Sequence, residues 1–346
     1  MKQPTSTLQV LRDLAITRVR TVVPGFGQSE LDNWIMQSGY AGAPSPHTDT
    51  RDLLHVYAAS LTNAGGAKPR FDAFGSMIGQ AMGPYISKGS IAQVPNPTEL
   101  ARECERHLAC HELGGEFAAD VSGLVRGDND RKLMRGLLSS VVAFSAWLLD
   151  KHSGSASALH AALTSNVDPR RTGHGLPVLR DLDLLPWVGI AVAANFLKDS
   201  QVPGLRARGM TPKDSASVLA GWFAKPDLHV ARLMGYVTGR LPQPGVDPSR
   251  FKLGEALNRY GQNAQRNFSM HYPHLVRGDA NDLKVIADIH EWAVAANTSP
   301  LEIDRILYLI GVRETIVQGV AVYEPWYPKF VAAMDACAAR GVPRKS

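Results

Sequence analysis

One segment restricts the fold of this 346-residue chain more than any other, the run LMRGLLSSVVAFSAWLLDK within Arg131 to Lys151. Apolar residues occur on several faces of the helix that it would form, which predicts a buried central helix. Shorter runs with helical periodicity recur along the chain, whereas patterns typical of strands are scarce. We therefore predict an all-α fold.

The other predicted helices share this periodicity and are separated by segments rich in Pro, Gly and Asn. They are Leu8 to Val22, Ser29 to Gln37, Thr50 to Leu61, Phe71 to Met82, Thr98 to His111, Ser155 to Leu163, Thr211 to Phe223, Leu228 to Thr238, Lys252 to Asn267, Ala280 to Asn297, Pro300 to Ile310 and Pro328 to Ala339. We predict three regions: an N-terminal helical region (1–125), a core (126–315) and a C-terminal helix (316–346).

The segment LPWVGIAVAANFLKD, from Leu185 to Asp199, has the pattern of a tight apolar hairpin that leads directly into a helix. Its glycine, Gly189, stands in the bend. Backbone N–H groups at such a bend and at the following helix N-terminus lack partners within the helix, and this arrangement suits a phosphate. The alternative is a helix–turn–helix corner without a binding function.

A second segment, KPDLHVAR from Lys225 to Arg232, places Asp227 at the start of a helix, with His229 and Arg232 in its first turns. An aspartate after a proline is typical of a helix N-cap, which needs no catalytic role. A carboxylate next to a phosphate-binding hairpin also suggests chemistry on nucleic acid. The two interpretations are compatible, because a capping carboxylate is held rigidly.

Together, LPWVG, VAANFL and KPDLHVARLMG resemble the core of the helix-hairpin-helix DNA glycosylase superfamily, over Leu182 to Gly235. LEIDRILYLIG, from Leu301 to Gly311, is similar to the closing helix of some members. The resemblance implies a divergent member with two helical lobes and an active site in the cleft between them. It implies double-stranded DNA as the partner and a hairpin (182–199) whose carbonyls can hold a monovalent cation. The DNA-binding residues that it implies are Leu185, Pro186, Trp187, Val188, Gly189, Ala191 and Arg232.

The chain also departs from the family pattern at three points. Trp187 stands where the family usually has glycine, and Ala191 stands where the lyase branch has its Schiff-base lysine. Alanine cannot form an imine, so we predict a monofunctional enzyme without a lysine-dependent lyase step. Lys198, two helical turns after Ala191, is an alternative amine. The 36-residue spacing from Ala191 to Asp227 is roughly double that of the family, because of an insertion, SQVPGLRARGMTPKDSASVLAGWF.

The resemblance assigns Asp227, in the catalytic segment 225–235, to the hydrolysis of an N-glycosidic bond. Breaking that bond builds positive charge on the sugar, which a fixed carboxylate stabilises while it aligns the attacking water. The target is a damaged or modified base that is rotated out of the DNA stack. The insertion favours a bulky modified base, such as one in foreign DNA from a phage, and hence a role in base excision or antiviral defence.

Candidates for the base pocket are Trp222 and Phe223, directly before Asp227, and His229. Core packing or a local hydrogen bond is the alternative for each. Further aromatic or imidazole candidates are Phe144, Trp147, Trp292, Tyr308, His271, Tyr272 and His274. Candidates for phosphate neutralisation are Arg170, Arg171, Arg206, Arg208 and Lys213, with a solvated loop as the alternative.

Cys104, His107 and His111 fall on one face of a predicted helix, where a zinc site is geometrically possible. No fourth ligand is identifiable, so we predict no metal site and no required cofactor. Three cysteines are too few for a disulfide framework or a four-cysteine cluster.

The net charge of +5 agrees with a polyanion partner without establishing one. The charged N-terminal segment is unlike a secretory signal, and no apolar run is long enough to span a bilayer. We predict a cytoplasmic monomer without membrane contact. Two other functions stay open: a non-catalytic helix-hairpin-helix DNA-binding protein, and a helical scaffold that binds no DNA.

Overall fold

The structure is a computed structural model that describes residues 4–37, 40, 42–64, 128–165, 176–217, 224–241, 245–252 and 277–340. These residues belong to two compact units. Unit 1 contains residues 4–37 and the described residues from 209 onward, and unit 2 contains those within 40–165 and 176–208. Each unit is thus assembled from stretches that are distant in sequence. The predicted three-region division stays a prediction.

The described residues are mainly helical, which confirms the predicted helical class. The helices are α1 (Pro4–Arg20), α2 (Gln28–Ile35), α3 (Thr50–Ala64), α4 (Asp128–His152), α5 (Ala156–Thr164), α6 (Leu176–Asp183), α7 (Ile190–Ala207), α8 (Leu228–Val237), α9 (Arg277–Ala296), α10 (Pro300–Gly311) and α11 (Tyr327–Arg340). None of them is both long and apolar enough to cross a membrane.

Two features of the described residues were not predicted from the sequence: helix α6 and a small antiparallel sheet. Strand β1 (Glu314–Val317) pairs with β2 (Val320–Tyr323), and Val317 lies opposite Val320. The two residues between the strands, Gln318 and Gly319, have φ values of 51° and 79°. Positive φ at both central positions is typical of the turns that match the twist of a two-residue hairpin. This hairpin is a local exception to the predicted all-α class.

One predicted helix, Thr211 to Phe223, is wrong over its described part. The chain there forms a turn and a short 3₁₀ helix, Asp214–Ser217. The Asp214 carboxylate accepts hydrogen bonds from the N–H and hydroxyl groups of Thr211, which fixes the turn. The remaining predicted residues, 218–223, lie outside the described residues. The same is true of the predicted helices Phe71 to Met82 and Thr98 to His111, and of Lys252 to Asn267 after its first residue.

In unit 2, α7 packs against α3, and α3 packs against α4. The predicted central helix is confirmed in α4, whose Phe144 is fully buried. Its ring stacks on Tyr57 at 4.0 Å and meets Phe196 edge-on at 5.2 Å. Helix α7 extends to Ala207, so the first part of the sequence insertion continues this helix.

In unit 1, α10 is the central helix, because ten of its twelve residues are buried. Helices α1, α8 and α9 all pack against it. The fully buried Arg18 of α1 donates hydrogen bonds to the carbonyls of Leu309 and Val312. Burial lowers the pKa of Arg18 to about 10, but the guanidinium stays charged at neutral pH. Arg18 therefore caps the C-terminal end of α10, beside the first turns of α8.

Candidate functional site

The hairpin lies in unit 2, between α6 and α7. The N–H of Leu185 donates to the carbonyl of Leu182 at 3.0 Å, and the N–H of Val188 donates to Leu185 at 3.2 Å. Gly189 then caps α7 in an extended conformation, with φ −114° and ψ 173°. The segment is thus a helix, a tight turn and a second helix, in the order that the sequence indicates.

The start of α7 presents backbone donors without acceptors. Within the described part of the chain, the N–H groups of Gly189, Ile190 and Ala191 have no hydrogen-bond partner. The N–H of Val188 is different, because it closes the turn. These three amides, together with the positive end of the α7 dipole, form a local environment that favours an anion.

Trp187 adopts the left-handed backbone conformation at the tip of the hairpin, with φ 64°. Glycine populates this region without a steric penalty, whereas other residues rarely do. The backbone therefore keeps the conformation that a glycine would favour, although the residue is tryptophan. The ring lies against α4, since a β-carbon at Gly136 would overlap it. Trp187 and Leu184 are nevertheless 59% and 69% exposed, so the hairpin tip presents an apolar surface.

Asp227 lies in unit 1 and is the N-cap of α8, as predicted. Its Oδ1 accepts hydrogen bonds from the N–H groups of His229 and Val230, both at 2.9 Å. The residue is half-buried. No donor to its Oδ2 occurs among the described residues. One oxygen thus fixes the side chain, while the other is available to a ligand.

The loop before Asp227 is anchored to the central helix α10. The N–H of Lys225 donates to Oδ1 of Asp304 at 2.8 Å, and Asp304 is buried. The N–H of Asp227 in turn donates to the carbonyl of Lys225 at 2.7 Å. These two hydrogen bonds therefore fix the backbone directly before Asp227.

Aromatic and imidazole rings surround the start of α8. The hydroxyl of Tyr327 lies 2.9 Å from Nδ1 of His229, and the ring of Tyr308 meets His229 edge-on at 6.4 Å. Burial lowers the pKa of His229, and the charge of Asp227 opposes this effect only in part. Burial also raises the pKa of Tyr308 and raises that of Tyr327 to about 12, with Asp227 adding to both. At neutral pH these three rings are uncharged, so the charged groups that act on this helix start are Asp227 and the cations Arg18, Lys225 and Arg232.

Arg232 is engaged within unit 1. Its Nε donates to the carbonyl of Phe251, and its guanidinium also donates to the Tyr327 hydroxyl. Because Arg232 can only donate, the hydroxyl accepts from it and has its own proton for Nδ1 of His229. Arg232 therefore orients the Tyr327–His229 pair, a role that the sequence analysis did not assign to it.

Lys198 is buried in α7, with 5% of its surface exposed, and it interacts within the protein. Ala191, in the first turn of the same helix, is half-buried and stands where the resembled lyases carry their lysine. The absence of a lysine-dependent step stays a prediction.

Three other sequence candidates make contacts within unit 2. Phe144 belongs to the core of unit 2, and Nε1 of Trp147 donates to Asp181 at 3.4 Å. Arg208 donates to His160 at 2.9 Å, while Arg206 and Lys213 are exposed. The candidates that lie outside the described residues are Cys104, His107, His111, Arg170, Arg171, Trp222, Phe223, His271, Tyr272 and His274.

In the part of the chain that the structure describes, no group of three or more His, Cys, Asp or Glu side chains is placed to hold a metal ion. Comparison of the chain with models of known protein families, with curated proteins and with solved structures finds no match in any of the three. The proposed function therefore depends on the geometry of the hairpin from Leu185 to Gly189 and of the Asp227 cap.

Proposed function

We propose that this protein is a monofunctional DNA glycosylase that hydrolyses the N-glycosidic bond of a modified base in double-stranded DNA. The observation that carries the proposal is the state of the Asp227 carboxylate. Its Oδ1 is fixed by two backbone N–H groups, its Oδ2 has no donor among the described residues, and its ring neighbours are neutral. A carboxylate in this state needs no reorganisation to stabilise a nearby cation.

The reaction follows from that charge. As the bond between C1′ and the base nitrogen lengthens, its electron pair leaves with the base and the sugar becomes cation-like. Oδ2 of Asp227 stabilises this cation and orients a water whose oxygen attacks C1′. The departing base takes up one proton and the sugar gains a hydroxyl, so the products are a free base and an abasic site. Without a lysine at position 191, the backbone of the strand stays intact.

In this proposal the hairpin binds the DNA strand. The N–H groups of Gly189, Ile190 and Ala191 are suited to one phosphate. The resemblance adds a monovalent cation at the hairpin carbonyls. The exposed ring of Trp187 adds an apolar face next to that phosphate. We propose that the enzyme acts as a cytoplasmic monomer.

The proposed substrate is a bulky modified base, as in foreign phage DNA. The support is the long segment between α7 and Asp227, which separates this chain from the family that it resembles. In this proposal the extra sequence contributes to a wider base pocket.

The test is base release from a panel of duplexes that carry uracil, alkylpurines, oxidised bases and bulky pyrimidine or purine modifications. Mass spectrometry identifies the free base, and alkali reveals the abasic site. We expect release of a bulky base and strand breakage only after alkali. Release of common lesions alone would contradict the proposed substrate class. Binding that weakens with salt, without any release, would support a non-catalytic DNA-binding protein instead.

A further inference from the structure

Unit 1 contains a cavity of about 450 Å³ that is separate from Asp227. This volume lies within the range of roughly 300–1,000 Å³ that is typical of small-molecule sites. Its walls come from the first turn of α1, the C-terminal end of α8, one face of α9, and α11. Its lining residues include Val237, Arg240, Asp288, Glu291, Trp292 and Met334.

The cavity lies at the opposite end of α8 from Asp227. Asp227 caps the first turn of this helix, and Val237 is its last residue. Ten residues of α-helix span about 15 Å. A ligand in the cavity therefore does not reach the Asp227 carboxylate, so the cavity is not the pocket for a base that is cleaved there.

Two carboxylates of the cavity differ in their partners. Asp288 is buried and accepts from Nε of Arg240 at 2.7 Å and from Nζ of Lys284 at 2.5 Å. Glu291, one helical turn further along α9, is exposed to solvent and has no hydrogen-bond or ion-pair partner among the described residues. Glu291 is thus the carboxylate of this cavity whose charge is left for a ligand.

Two further features favour a cation with a flat charged group. The cavity receives the C-terminal end of α8, whose dipole is negative. Trp292, next to Glu291, is half-buried, and its indole stacks on no other ring in the described part of the chain. An indole face attracts cations, and a guanidinium also pairs with a carboxylate through two parallel hydrogen bonds. The side chains of Val237 and Met334 provide an apolar wall for the rest of the ligand.

We propose that this cavity is a binding site for a small guanidinium compound with a short apolar tail. The guanidinium pairs with Glu291 and lies on Trp292, while the tail contacts Val237 and Met334. This inference does not depend on the glycosylase proposal, since it concerns another end of unit 1 and requires no DNA.

The test uses isothermal titration calorimetry of the full chain with three probes of similar size. Butylguanidinium carries the proposed charge, butylurea is its neutral isostere, and butyrate carries the opposite charge. We expect saturable binding of butylguanidinium and at least tenfold weaker binding of both other probes. Equal binding of butylurea, preferential binding of butyrate, or no saturable binding of butylguanidinium would overturn the proposal.

Variants at two exposed glutamates of unit 1 test the role of Glu291. Glu291→Gln removes the charge, and we expect at least a tenfold loss of butylguanidinium affinity. Glu314→Gln in β1 is the matched control and should bind as the wild type does. Asp227→Asn should also leave this affinity unchanged, which separates the cavity from the proposed catalytic site. Unchanged binding by Glu291→Gln would contradict the assigned contact.

Discussion

Asp227 combines two properties that are usually found in different side chains. One oxygen is a structural acceptor at the start of α8, and the other has no donor among the described residues. The capping role follows from the local sequence, because proline followed by aspartate begins many helices. The residues that surround Asp227 in the fold cannot be predicted from the local sequence. Tyr327 is 98 residues from His229, and Asp304 is 79 residues from Lys225, so only the tertiary fold brings each pair together.

Trp187 gives a prediction about backbone strain. A residue with a β-carbon pays about 1–2 kcal/mol for the left-handed conformation, whereas glycine does not. Both Trp187→Gly and Trp187→Ala remove the indole and its contact with α4. We therefore expect Trp187→Gly to be more stable than Trp187→Ala by about 1 kcal/mol after allowance for the extra backbone entropy of glycine. Denaturant unfolding of the two variants measures this difference, and equal stabilities would argue against strain at this position.

At the scale of elements, the packing of α8 on α10 depends on a glycine. A β-carbon at Gly311 would lie 3.0 Å from Cβ of His229, 3.1 Å from Cδ1 of Leu233 and 3.2 Å from the Tyr327 hydroxyl. These distances are shorter than ordinary van der Waals contacts, and two of the three atoms belong to α8. Gly311 therefore allows α10 to approach the His229–Tyr327 pair.

The sign of the effect of Gly311→Ala tests this packing. At an open helical position, alanine would stabilise the protein by roughly 0.5–1 kcal/mol, because it loses less backbone entropy. Here we expect a loss of about 1–2 kcal/mol, since the added methyl group overpacks the contact. The free energy of unfolding from urea titration gives the sign. A stabilised Gly311→Ala variant would show that the contact relaxes easily.

The sequence predicts some helices and strands more accurately than others. The long helices α4, α9 and α10 have continuous periodic patterns, and their predicted positions are confirmed within a few residues. The segment after Thr211 fails as a helix, because the Asp214 carboxylate bonds to Thr211 and favours a turn. The β1–β2 hairpin is short, so its alternation covers too few residues to separate it from a loop, although Gln318–Gly319 is a usable turn signal.

At the scale of the whole molecule, buried histidines make stability depend on pH. Among the described residues, burial lowers the pKa of five histidines: His47, His55, His152, His160 and His229. Their ordinary pKa in the unfolded chain is about 6.5. Above that pH they are neutral in both states, and their contribution to stability is fully present. Below it the unfolded chain takes up protons first, so stability falls.

We therefore expect the midpoint of thermal unfolding to fall as the pH is lowered from 7.5 to 5. Asp49 and Asp214 have lowered pKa values in the fold, so their contribution is lost only at more acidic pH and leaves this window unaffected. Calorimetric scans at half-unit steps measure the trend. A midpoint that is constant or rises on acidification would contradict the assigned histidine environments.

The most direct measurement is the single-turnover rate of base release at saturating DNA for the wild type, Asp227→Asn and Asp49→Asn, since Asp49 also accepts a backbone N–H but lies outside both proposed segments. Asparagine caps a helix about as well as aspartate, so Asp227→Asn should fold and bind DNA normally while it loses the negative charge. The predicted result is a loss of about 10²–10³-fold in rate for Asp227→Asn, a magnitude typical of one lost electrostatic contact, and none for Asp49→Asn. Base release by Asp227→Asn at the wild-type rate would contradict the central claim.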